Sequence, residues 1–76
     1  MSDLAIHIAE RVREERELAG MSQDDLSAYT GIKRPNVARI ERGNHMPTLY
    51  TLEIIAMTLA VPVSTFLEGA PQPEHD

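Results

Sequence analysis

Apolar residues return at three- and four-residue intervals along most of this chain, with charged and small polar residues between them. Over residues 4–19 the series Leu4, Ala5, Ile8, Ala9, Val12 and Ala19 predicts an amphipathic helix that Gly20 ends. Ser22 followed by Asp25 is a capping pattern, and Asp24 and Asp25 fall where a helix dipole favours acids. A second helix therefore starts at Ser22 or Gln23, turns Leu26 inward and stops before Gly31. Ile32, Val37 and Ile40 anchor a third helix that begins near Arg34 and is closed by Gly43. Pro35 suits its first position, with Arg34 just outside, because proline has no amide hydrogen to donate. Thr48 caps a fourth helix carrying Leu49, Leu52, Ile55, Ala56 and Leu59, and Pro62 interrupts it. A last short helix over residues 63–67 presents Phe66 and Leu67 before Gly69. Strand-like alternation has little support, so the expectation is all-α: a compact five-helix domain over residues 1–69 and a flexible tail over residues 70–76.

Length adds one constraint. A chain of 76 residues holds a single domain near the size at which one core is marginal, so helix packing or dimerisation must supply much of the stability. The absence of cysteine removes disulfides and thiolate metal sites, and His7, His45 and His75 are too scattered to suggest a metal centre. No cofactor is implied. No apolar stretch is long enough to span a bilayer, and the first residues lack the order of a signal peptide, so the expected location is cytoplasmic, with no membrane partner.

Charge changes the picture more. The net charge of −5 by itself argues against a general affinity for nucleic acid. Its distribution reverses that impression. Residues 1–29 carry three Arg against seven acids, and residues 47–76 carry four acids with no Lys or Arg. Residues 30–46 hold Lys33, Arg34, Arg39 and Arg42 against Glu41 alone, a net +3. A compact basic segment on an acidic body favours binding through that one segment, while the remainder repels phosphate.

Residues 22–43 thus read as two short helices about a glycine turn, with the cations gathered on the second: the layout of a helix-turn-helix reading head for DNA. The detailed string strengthens this. Arg-x-x-Arg-Glu-Leu-Ala-Gly-Met-Ser-Gln-x-x-Leu at 13–26, Gly31-Ile32, Val37-x-x-Ile40-Glu41-Arg42-Gly43, Pro47-Thr48-Leu49, and Leu52 onward to Leu59-Ala60-Val61 stand in register. Together they resemble the Cro-type, lambda-repressor-like helix-turn-helix family, often called XRE, over roughly residues 8–67.

The resemblance implies roles for particular residues. Gln23 matches a phosphate-contacting glutamine at the start of the second helix. Lys33, Arg34, Pro35, Asn36 and Arg39 fall on the family's recognition surface. Arg34 and Arg39 are the expected base readers, since a guanidinium can bond guanine O6 and N7 together, and Asn36 either reads adenine or holds a phosphate. Lys33, Arg42 and Asn44 are assigned to phosphates. Arg16 and Glu41 match an ion pair joining the first helix to the end of the recognition helix, where its use is to fix orientation. Val61, Val63, Phe66 and Leu67 either complete the core or form a homodimer interface. A homodimer would set two recognition helices ~34 Å apart on a near-palindromic operator. Three departures stand out: Ser27 replaces a usual alanine, Lys33 stands where a Ser or Thr cap is common, and Pro35 removes a side chain that relatives aim at DNA.

Other classes fit less well. His45 sits in a loop without oxyanion donors, and Glu14, Glu15 and Glu17 alternate with Arg13 and Arg16 as a solvated helix face, so no enzyme is expected. The expected function is sequence-specific transcriptional regulation, most simply repression, by a homodimer on double-stranded operator DNA. The alternatives are an antitoxin, kept open by the acidic first 29 residues, whose N-terminal helix or exposed tail would hold a toxin, and the controller protein of a restriction–modification system.

Overall fold

The computed structural model describes residues 2–72. It contains four α-helices, α1 (Asp3–Leu18), α2 (Gln23–Thr30), α3 (Arg34–Arg42) and α4 (Leu49–Leu59), and a closing 3-10 helix, Val63–Leu67. The helix boundaries lie where side chains satisfy the first backbone amides. Ser2, Ser22 and Thr48 each accept from an amide three residues on, and at Ser22 the Asp25 carboxylate returns the bond to complete a capping box. At the end of α1 the Gly20 and Met21 amides reach back to the Glu17 and Arg16 carbonyls at 2.9 and 3.1 Å, with Gly20 left-handed at φ +73°. This Schellman closure turns the chain sharply into α2.

Two expectations need correction. α3 starts one residue earlier than its proline suggests: Lys33 is the N-cap residue and Arg34 is helical, which places Pro35 second. That position also lies among the amides no helix can pair, so the missing N–H leaves no bond broken. The fifth helix is a five-residue 3-10 turn, closed by Thr65 N–H to the Pro62 carbonyl at 3.0 Å. Between Pro62 and Gly69 there is no room for a run of α-helical bonds. Over the described residues the domain is therefore four α-helices and a 3-10 helix. Of the tail expected over residues 70–76, residues 73–76 lie outside the described residues, as does His75.

The core gathers Ile8, Val12, Leu26, Val37, Ile40, Leu52, Ile55, Ala56, Leu59 and Phe66, with Met21, Ile32, Val61 and Val63 packed at its margin. α1 lies across α3 and the 3-10 helix, and α2 packs on α3 and α4. Gly43 lies close against α1: a Cβ there would stand 3.1 Å from the Ile6 backbone, at φ +73°. Among the described residues, no helix is long and apolar enough to cross a membrane.

Candidate nucleic-acid interface

The turn between α2 and α3 is held by side chains from its own ends. Gly31 takes φ +78° and its amide bonds the Ser27 carbonyl at 2.9 Å. The Ser27 hydroxyl donates to the Ile32 carbonyl at 2.5 Å, and Thr30 Oγ1 bridges from the Leu26 carbonyl, at 2.7 Å, to the Ile32 amide, at 3.1 Å. The serine that replaces a usual alanine thus becomes a cross-turn tie, and it helps to set the angle at which α3 leaves α2.

On α3 the buried positions Val37, Ile40 and Glu41 form one face. Pro35, Asn36, Arg39 and Arg42 lie on the other and are exposed, with Lys33 and Arg34 exposed at its entry and Asn44 just beyond its end. All six residues assigned to DNA on or beside this helix therefore face outward together. Lys33, Asn36 and Arg39 line one shallow open groove of about 560 Å³ with Gly31, Ile32, Ile40, His45 and Thr51. His45 and Thr51 were not expected there. Their signal in the sequence was position alone: His45 falls within the basic 30–46 segment, and Thr51 in the first turn of the helix that follows it.

What fixes this face is the predicted ion pair. Arg16 Nε and Nη2 donate to the two Glu41 carboxylate oxygens at 2.7 and 2.9 Å, and Nη1 donates to the Met21 carbonyl at 2.7 Å. The side chains of both partners are nearly shut off from water, at 11% and 3% exposure. The hydrogen bonds it donates to Glu41 keep the Arg16 guanidinium charged to above its ordinary basic range, against the opposing effect of burial. Gln23 Nε2 adds a third donor to Glu41 Oε1 at 3.1 Å. The glutamine assigned to phosphate is thus half-buried and tied inward, so α1, the start of α2 and the end of α3 meet at one carboxylate.

The residues assigned to a dimer do not all share a surface. Val61 and Val63 are half-buried, Leu67 is 45% exposed, and Phe66 is fully buried within the monomer. Phe66 belongs to the monomer core and has no side-chain surface to offer a partner, which corrects its assignment to a dimer interface. Val61 and Val63 line a second shallow groove with Glu53, Ala56, Met57 and Pro62, and Met57 is 80% exposed at its edge.

The helix-turn-helix (HTH_3) family model matches residues 12–66. The chain belongs to this helix-turn-helix family. An uncharacterized HTH-type transcriptional regulator of Sinorhizobium medicae is 38% identical over 66 residues, spanning 87% of this chain and 48% of that protein. The chain spans about half the length of the first curated relatives it matches. Among solved structures, the restriction–modification controller protein C.AhdI from Aeromonas hydrophila superposes with a TM-score of 0.78 at 27% identity, covering 82% of this chain and 94% of C.AhdI. A tetramer of the controller protein C.Esp1396I, solved with its natural 35 base-pair operator, gives a TM-score of 0.80 at 29% identity over 90% of each chain.

Proposed function

We propose that this domain binds double-stranded operator DNA as a homodimer, sets α3 in the major groove and regulates transcription, most simply by occluding polymerase. The observation that carries the reading is the outward face of α3: Arg34, Asn36 and Arg39 are exposed on a helix whose other side is locked to the core by Glu41. Arg34, Asn36 and Arg39 read bases; Lys33, Arg42 and Asn44 hold phosphates; Gln23 offers its remaining donor to a phosphate near the start of α2. Val61, Val63 and Leu67, joined by Met57, form the self-association face. No residue is given a catalytic role.

A controller role within a restriction–modification system is favoured among regulators by the two controller proteins, which match over 90% or more of their own lengths. The antitoxin alternative rests on the acidic first 29 residues alone.

The test is selection from a random double-stranded DNA pool by the purified chain. Enrichment of a two-fold-symmetric site, lost in Arg34→Ala or Arg39→Ala, supports the reading. Absence of enrichment, with binding that fades equally for all sequences as salt rises, overturns it.

A further inference from the structure

Three residues open α2, and each is engaged differently. Gln23 donates inward to Glu41 at 3.1 Å, and Asp25 accepts from the Ser22 amide at 2.9 Å within the capping box. Asp24 takes no part in the cap. Its Oδ1 instead lies 3.1 Å from Arg34 Nε, across the turn at the first position of α3. Both side chains are largely in water, at 76% and 59% exposure, so the contact contributes little to stability. Its consequence concerns where the arginine points.

We infer that Asp24 is a specificity-determining residue: its carboxylate draws the guanidinium of Arg34 by charge from the Nε side and leaves the terminal nitrogens to a base. The inference rests on the DNA-reading function proposed above. A guanidinium has five donors on a rigid plane, and a carboxylate beside Nε still leaves the two terminal nitrogens free to meet guanine O6 and N7 as a pair. Among the described residues, neither terminal nitrogen of Arg34 donates elsewhere. A long arginine without such a partner swings equally well to the nearest phosphate, where it adds affinity for every sequence alike. The repulsion between the acid and phosphate acts on every sequence alike. Keeping Arg34 off the phosphate acts against wrong sites more than against the right one, and that difference is what specificity is. The residue that lowers gross affinity thus widens the gap between operator and random DNA.

The experiment compares Asp24→Asn with the full chain in titrations of the selected operator and of a random duplex at two salt concentrations. The same substitution is also made in an Arg34→Ala background. Asparagine keeps the shape and removes the charge, and a thermal melt of each variant establishes that it is folded. The expected result is tighter binding of random DNA and a ratio of operator to random affinity narrowed by about ten-fold, the scale of one bidentate base contact. The salt slope on random DNA steepens by about one, as Arg34 gains a phosphate. In the Arg34→Ala background the substitution leaves the ratio unchanged. Equal strengthening on both duplexes, or the same narrowing without Arg34, overturns the inference and reduces Asp24 to a repelling charge. A wild-type chain that enriches no sequence is a separate result: it overturns the DNA-reading proposal, and the role of Asp24 falls with it.

Discussion

Glu41 is the residue on which the placement of α3 depends. It accepts from Arg16 through two bonds and from Gln23 through a third, in a place nearly closed to water. Truncation to alanine leaves the Arg16 charge buried without its partner, a loss of about 3–5 kcal/mol. That is a large share of the stability of a domain this small, and Glu41→Ala is expected to lower the melting temperature by well over 10 °C. An unchanged melt and unchanged DNA affinity contradict the role. Replacing both partners by apolar residues of similar size restores much of the melt, because no charge is left unpaired. A gentler residue-scale effect belongs to Asp25. The Ser22 backbone amide first, and its hydroxyl second, hold the Asp25 carboxyl below its ordinary value of 3.8. A carboxyl whose folded value is depressed contributes stability above the unfolded value and loses it as pH falls through the folded one. Denaturant midpoints are therefore expected to be level above about pH 5 and to decline below pH 4, and Asp25→Asn to flatten part of that decline.

Among the elements, the helix ends were the most legible in sequence, because caps are local chemistry. Ser22 with Asp25, Thr48, and the glycines at 20, 31 and 43 act within a few residues of where they stand. The Arg16–Glu41 pair was legible only through the family resemblance, since no local rule joins residues 25 apart in sequence. Other features depend on how elements cross. Pro35 marked the start of α3 only to within one residue, since every amide of the first turn is equally dispensable. Phe66 looked like a neighbour of Leu67 on an outer face, yet five residues are too few for periodicity to tell inside from outside. The Asp24–Arg34 contact depends on the angle of the turn, which Ser27 and Thr30 help to set through bonds to Ile32, and His45 and Arg39 come to line one groove only in the folded chain. Two glycine-related substitutions probe the helix ends. Gly43→Ala adds a methyl 3.1 Å from the Ile6 backbone in a left-handed conformation and is expected to cost about 2–4 kcal/mol. Ala60 holds a left-handed conformation at φ +59° after α4, and Ala60→Gly is expected to stabilise by up to about 1 kcal/mol. Opposite shifts in chemical denaturation midpoints check both, and a stabilising Gly43→Ala contradicts the packing described here.

For the whole molecule, the charge layout and the apolar face on α4 and the 3-10 helix set the terms. An acidic body whose one net-basic segment is residues 30–46 is expected to meet DNA through α3 and little else. Met57, 80% exposed beside Val61, Pro62 and Val63, makes the other notable surface. Met57→Glu is expected to leave the monomer fold intact, to shift sedimentation from dimer to monomer at micromolar concentration, and to weaken operator binding as salt rises. A dimer that persists in this variant moves the self-association face elsewhere. The central claim is that α3 reads bases rather than merely touching phosphate. The direct measurement is the affinity of the full chain and of Arg39→Ala for the selected operator and for a random duplex, at matched salt. Arg39→Ala is expected to weaken operator binding by about ten-fold or more while random DNA changes several-fold less. Equal losses on both duplexes would contradict it.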